Sequence, residues 1–328
     1  MLGAAAFRDS LPDMEERVMG GTGMRVSTTG LGTLTWGRDT DEHEAREQLE
    51  VFLDAGGTVV DTAATYGDGA AEELLGEFIR DVVARPELVI VTKAGVRQTP
   101  TGAVVDNSRG AVLNSLDASL ERLGTDYVDL LLIQGPDPRT PVRETLRALE
   151  LAVQSGKARY VGLANHSGWQ VAQAATLLED TVGLAAVQVE HSLVNRAAEQ
   201  EVFPAAAALG IGVMAWSPLG RGVLTGKYRR GTPADSRAAS AHLAGFVQPY
   251  LSSGARTIAE ALVTAADGLG KHPAEVALAW VRDKQPVACA IVGARTAQQL
   301  RGSLGDQDVE LPDEIRAVLD EISQQNAH

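Results

Sequence analysis

Eight short apolar runs, "GLGTL", "GTVVD", "ELVIVTK", "YVDLLLI", "ARYVGLA", "LAAVQVE", "IGVMAW" and "CAIVG", recur along the 328 residues with helical patterns between them. Strands this apolar are buried on both faces, the condition of a parallel sheet covered by crossover helices. Eight βα units in succession can close on themselves, so the pattern predicts an α/β fold, a (β/α)8 TIM barrel. The intervening segments have helical spacing: Ala45, Leu49, Phe52 and Leu53 share one face, and Val112, Leu116, Leu120 and Leu123 share another before Gly124 as a stop. Thr140 and Pro141 offer a hydroxyl N-cap and a proline at the first helical position. The competing doubly wound nucleotide fold needs a glycine-rich fingerprint after its first strand, and "GLGTLTWG" has no third glycine where that fingerprint requires one.

Ahead of the first βα unit, "RVMGGTGMRVSTTG" alternates and turns at Gly20 and Gly21, which predicts a hairpin plugging one end of the barrel. Residues 1–16 read as a frayed tail and 17–328 as a single barrel domain ending in the helix "LPDEIRAVLDEIS". The stretch from about Arg229 to Arg256, rich in Arg, Ala, Ser and Gly, reads as a long loop or lid after the seventh strand.

With 45% hydrophobic and 22% charged residues the chain has ample apolar material for a full core. Its net charge of -14, from 43 acidic and 29 basic residues, repels polyphosphates and anionic lipid at long range, which argues against nucleic-acid and membrane partners. Any anionic ligand therefore needs a local basic pocket. Cys289 is the single cysteine, which excludes an intrachain disulfide and a cysteine-based zinc cluster and fits a cytoplasmic setting. The opening "MLGAAAFRDSLPD" lacks the basic and long apolar regions of an export signal, and no run approaches the roughly 18 apolar residues of a membrane span. The six histidines show no HExxH or paired spacing, so no metal site is expected.

Barrel chemistry gathers where the C-terminal ends of the strands meet. The residues ending six of the predicted strands are Asp61, Lys93, Gln134, Asn165, Gln188 and Trp216, with Tyr66 just past Asp61. Singly, polar strand ends mark only where solvation begins. Together, an acid, a phenol and an amine at one mouth suit proton transfer to a carbonyl: Lys93 would lower the Tyr66 pKa, Asp61 would hold Lys93 charged, and Tyr66 would be the general acid.

Six stretches, "DTAATYGDGAAEELLGEFI", "VTKAG", "YVDLLLIQGPDPRTPVRETLRAL", "GKARYVGLANHS", "VMAWSPLGRGVLTGKY" and "AIVGARTAQQL", resemble the aldo-keto reductase family in order and spacing from about residue 17 to the C-terminal helix. The branch it resembles includes potassium-channel β subunits and bacterial aldo/keto reductases. The resemblance implies a barrel that binds NADPH at its mouth and reduces carbonyls by hydride transfer, with a tetrad falling on Asp61, Tyr66, Lys93 and Gln134. The fourth position is usually His. Gln134 can still donate an N–H to a carbonyl oxygen but cannot titrate near neutral pH, so reduced turnover is expected. The structural alternative is that its amide satisfies loop carbonyls beneath the turn at Pro136.

The resemblance also assigns Thr33, Asn165, Gln188, Trp216, Ser217, Leu219, Gly222 and Lys227 to the cofactor, with Ala164 where most relatives have Ser. The basic island of Arg221, Lys227, Arg229 and Arg230 suits phosphates. Arg295 and Gln299, one turn apart at a helix start, suit a 2′-phosphate and favour NADPH over NADH. Gly302 and Ser303 stand where relatives carry a Glu-Asn pair, which leaves the adenine contacts open. Trp36 and the lid are expected to shape the substrate pocket, and His166 and His191 to line it or pack.

Three readings follow: an NADPH-dependent reductase of aldehydes or ketones; an NADPH-binding sensor or regulatory subunit with little turnover; and a barrel whose mouth binds something else. The first expects a small-molecule carbonyl substrate. No exposed apolar helix face in the sequence specifies an oligomer.

Overall fold

Each of the eight apolar runs supplies one barrel strand in the structure, a computed structural model that describes residues 14–99, 102–229, 231–233, 236–240 and 243–326. The strands are β3 (Thr29–Gly32), β4 (Val59–Asp61), β5 (Val89–Ala94), β8 (Val128–Ile133), β9 (Ala158–Ala164), β10 (Ala186–Glu190), β11 (Gly212–Trp216) and β12 (Val287–Val292). All pair in parallel, each with the next, and β12 pairs with β3 to close the barrel. Closure removes the sheet edges that would otherwise expose unpaired backbone groups.

Two apolar layers follow from the period-2 geometry of a strand. One set of side chains points inward, among them Val59, Val91, Leu130, Leu132, Ala164, Met214, Cys289 and Ile291. The alternate set, including Val60, Ile90, Leu131, Ile133, Leu163 and Val213, packs against the surrounding helices. Burying each such side chain contributes roughly 1.5–3 kcal/mol. The helices have the expected stops and starts. Asp41 accepts the Glu44 N–H at the start of Glu42–Asp54, and Gly124 caps Arg109–Leu123 with φ 62°.

The predicted N-terminal hairpin pairs β1 (Glu16–Val18) with β2 (Arg25–Ser27) and sends Met19, Met24 and Val26 into the inner layer, which plugs the end opposite the mouth. Its turn depends on Gly20, at φ 56°, where a Cβ would come within 2.4 Å of the Gly210 carbonyl oxygen. The expected tail is shorter than 16 residues: Met14 is buried, its N–H donates to the Ala55 carbonyl, and β1 begins at Glu16. Residues 1–13 lie outside the described residues.

Two further expectations are corrected. Pro141, not Thr140, is the N-cap of Val142–Gln154, because the Thr140 hydroxyl turns back to the Asp137 carboxylate at 2.8 Å. The segment after β11 contains short helical turns at Arg237–Ala239, Ala244–Val247 and Gln248–Tyr250, and Arg256 already belongs to the helix Ser253–Leu269. A second hairpin, β6 (Val96–Thr99) with β7 (Gly102–Val105), follows β5; its four-residue strands, VRQT and GAVV, lack the apolar/polar alternation that marks a half-buried strand in a sequence. Among the described residues no helix is long and apolar enough to cross a membrane.

Replacing Gly20 by Val should destabilise the protein by more than about 2 kcal/mol, because the added side chain meets both an unfavourable φ and fixed backbone. A thermal melt indistinguishable from that of the unsubstituted protein would refute the plug's contribution.

Candidate active site

The strand parity that fills the barrel interior also builds its mouth. Two residues beyond the inward-facing Val59, Val91, Leu132, Ala186 and Met214 lie Asp61, Lys93, Gln134, Gln188 and Trp216. All five line a cavity of about 730 Å³ at the C-terminal ends of the strands, together with Tyr66 and Asn165.

At its floor Asp61 and Lys93 are buried, and Lys93 Nζ lies 2.8 Å from both Asp61 carboxylate oxygens, 2.9 Å from the Thr62 carbonyl and 3.2 Å from the Tyr66 hydroxyl. Tyr66 opens the tight turn Tyr66–Gly69 after β4, which brings its ring over Lys93 with the ammonium 4.9 Å from the ring centre. Burial pushes the Lys93 pKa down, but the Asp61 carboxylate and the Tyr66 phenol outweigh it, so the ammonium stays charged well into the alkaline range. Tyr66 departs from the expected direction. Burial raises its pKa by more than Lys93 lowers it, with Asp61 adding to the rise, so the phenol keeps its proton at neutral pH.

Gln188 turns its amide toward the acid, donating from Nε2 to Asp61 Oδ1 at 2.6 Å. Asn165 donates from Nδ2 to the Gln134 carbonyl at 2.9 Å and accepts the Trp216 indole N–H at 3.0 Å. Among the described residues the Gln134 side chain bonds to no loop carbonyl, and its Nε2 lies 3.1 Å from the Thr65 hydroxyl. Asn165 (φ 61°), Ser217 (φ 53°) and Arg221 (φ 56°) are three of the four non-glycine residues with left-handed backbones among the described residues, and all three line the cavity. Such conformations cost of order 1–3 kcal/mol each and concentrate where geometry serves a ligand.

The outer part of the cavity is lined by Ser217, Leu219, Arg221, Gly222, Lys227, Arg295, Thr296 and Gln299. At Gly222 (φ 96°) a Cβ would come within 3.1 Å of Lys227 Nζ, so the bare backbone lets the lysine side chain pass close beside it. These cations and backbone groups fit phosphate in an otherwise acidic protein. Arg221 is held by a bidentate pair with Glu190 at 2.7 and 2.8 Å and lies 3.8 Å over the Phe246 ring, which itself stacks near Trp216. At the start of Ala297–Leu304 the Ala297 N–H already donates to Glu44, and Gln299 Oε1 accepts the Arg295 N–H. Arg230 lies outside the described residues.

Residues 28–324 match the sequence profile of the Aldo/keto reductase family. The chain belongs to that family. It is similar to the uncharacterized oxidoreductase YrpG of Bacillus subtilis, with 36% identity over 94% of this chain and 96% of that protein. It is also similar to a probable voltage-gated potassium channel subunit beta of Oryza sativa subsp. japonica, at 34% over 93% and 97%. A third relative is the L-glyceraldehyde 3-phosphate reductase of Escherichia coli, at 33% over 96% and 92%. Family membership makes the chain an oxidoreductase whose relatives generally use a nicotinamide dinucleotide.

Several expected site residues stand away from the cavity wall. Trp36 is fully buried, with its indole N–H on Gln48 at 3.0 Å and its ring edge-on to Phe78 at 5.7 Å. It is a core residue, and Leu34 lines the cavity instead. Thr33 is also buried, its hydroxyl donating to the Asp61 carbonyl at 3.1 Å. His166 bonds to the Ala164 carbonyl at 2.8 Å and is not part of the cavity lining. Phe246 lines the cavity from the segment expected to act as a lid, whereas His272 lines it unforeseen, because no local pattern marks a residue delivered by a distant helix start.

His191 packs in the helical layer, 4.8 Å from the Phe203 ring and 5.3 Å from the Trp280 ring. Burial drives its pKa down from 6.5 to about 4, with Lys284 and Arg196 reinforcing the fall and Glu199 opposing it. The unfolded chain therefore takes up this proton first. The corresponding stability is present above about pH 6.5 and falls by about 3 kcal/mol as pH drops toward 4. His191→Gln should flatten that part of the stability profile, measured by urea unfolding across this pH window; an unchanged slope would remove His191 as its source.

Proposed function

We propose that the protein is an NADPH-dependent reductase of aldehydes or ketones. The carrying observation is the contact of Lys93 Nζ with both Asp61 and the Tyr66 hydroxyl on the cavity floor. A reduced nicotinamide dinucleotide, when bound, supplies the hydride. Trp216, Asn165 and Gln188 are suited to its ring and carboxamide, Ser217, Leu219, Gly222 and Lys227 to its phosphates, and Arg295 with Gln299 to the 2′-phosphate. Thr33, its side chain turned into the wall, is left without a direct role in this reading.

The chain's own work is proton delivery. Tyr66 gives its hydroxyl proton to the carbonyl oxygen as charge develops there. Lys93 stabilises the phenolate left behind, and Asp61 keeps Lys93 charged and in place; both act through Tyr66. Gln134 offers an N–H to the same oxygen and exchanges no proton. Reduction needs the protonated phenol, and the raised Tyr66 pKa keeps it protonated. The reductive rate should therefore run level across neutral pH, without an imidazole limb near about 6.5, and decline only at alkaline pH.

The second reading, a cofactor-bound sensor with little turnover, draws on Gln134 and on the similarity to proteins named channel subunits. NADPH that quenches tryptophan fluorescence, yet is consumed with generic aldehydes no faster than in a protein-free blank, would favour it. Under the reductase reading Tyr66→Phe should cut turnover on the order of a hundredfold to ten-thousandfold while sparing cofactor binding. Gln134→His should raise turnover. Full activity in the Tyr66 variant would strip that residue of its role.

A further inference from the structure

We infer that Thr65 is a positioning residue that sets the orientation of the Gln134 carboxamide. Thr65 Oγ1 lies 3.1 Å from Gln134 Nε2 and 3.5 Å from its Oε1. Among the described residues the Gln134 side chain bonds to Thr65 alone, and Gln134 lines the cavity. Its backbone is already fixed at both groups: the N–H donates to the Ala94 carbonyl at 2.9 Å and the carbonyl accepts from Asn165 at 2.9 Å. What remains free is a long side chain, and immobilising one of this kind costs up to about 1.5–2 kcal/mol of rotamer entropy.

The Thr65 hydroxyl removes that freedom before substrate arrives. Nε2 carries two hydrogens, and the hydroxyl oxygen engages one of them. The other is left for a carbonyl oxygen in the cavity. Because Thr65 immediately precedes Tyr66, one short segment then places both the proton donor and, through Gln134, the second hydrogen-bond donor. The two groups that meet the carbonyl oxygen are thus registered to each other by a single peptide unit rather than by separate loops. Pre-organisation of this kind strengthens a donor aimed at developing charge.

The inference rests on the reductase reading for its catalytic consequence but not for the orientation itself, so the test has two arms on the full chain. In ¹⁵N-glutamine-labelled protein, with the Gln134 side-chain signal assigned by its loss in Gln134→Ala, Thr65→Val should move the Gln134 amide cross-peaks and speed their hydrogen exchange. Thr65→Ser, which keeps the hydroxyl, should restore them. In steady-state reduction Thr65→Val should lower kcat about fivefold, the worth of one hydrogen bond, with NADPH affinity unchanged. The same substitution should have no further effect in a Gln134→Ala background. Unmoved Gln134 cross-peaks in Thr65→Val overturn the inference, as does an equal fall in kcat with Gln134 absent. If the unsubstituted protein turns over no carbonyl while the cross-peaks still move, the reductase reading falls and the orienting role stands.

Discussion

Closure of eight parallel strands into one barrel is the constraint on which everything else in this protein rests. Once the ring is closed, each strand has an inside and an outside, and the alternation of side chains assigns every residue to one of them. The inward set forms a dry layer sealed from below by Met19, Met24 and Val26 of the hairpin. At the top the same alternation runs out of apolar residues and delivers Asp61, Lys93, Gln134, Gln188 and Trp216 into a shared cavity. The site is the last turn of the core's own register.

That origin explains its electrostatics. A lysine and an aspartate on neighbouring strands, both facing inward, are almost wholly shielded from bulk water, and desolvating them singly would cost several kcal/mol each. They are retained as a hydrogen-bonded pair, with Thr62, Tyr66 and Gln188 taking up further donors and acceptors. A charged ammonium is thereby fixed beneath a phenol in a poorly hydrated floor. The attraction between them follows from residue types alone, but burial has the larger effect and leaves Tyr66 a weaker acid than free tyrosine. A half-buried phenol beside a fixed cation keeps its proton until negative charge appears nearby, and in the proposed reduction the carbonyl oxygen would develop that charge.

Around this floor the rim is preassembled and bonded to itself. Asn165 joins the Gln134 carbonyl to the Trp216 indole, and Arg221 ties Glu190 to the aromatic residues of the segment after β11. The left-handed backbones at Asn165, Ser217 and Arg221 fall in the same place. Strain concentrated at one mouth, in a fold otherwise assembled from regular βα units, marks where the structure serves a ligand rather than its own stability.

The sequence by itself determined the barrel, its strand positions, the bottom hairpin and the polar strand ends, because each is written locally: period-2 and period-3.6 apolar patterns, a glycine turn, and the first polar residue after an apolar run. Only the tertiary structure decided which side chains reach the cavity. Trp36 and Thr33 sit close to the mouth in sequence yet turn into the wall, where Gln48 and the Asp61 carbonyl satisfy them. Thr65, Phe246 and His272 reach their places through the packing of a tight turn, a short helical turn and a helix start, contacts with no spacing rule in the chain. The balance at Tyr66 was equally out of reach, since desolvation depends on everything packed around a group and a linear sequence records only which residues adjoin it.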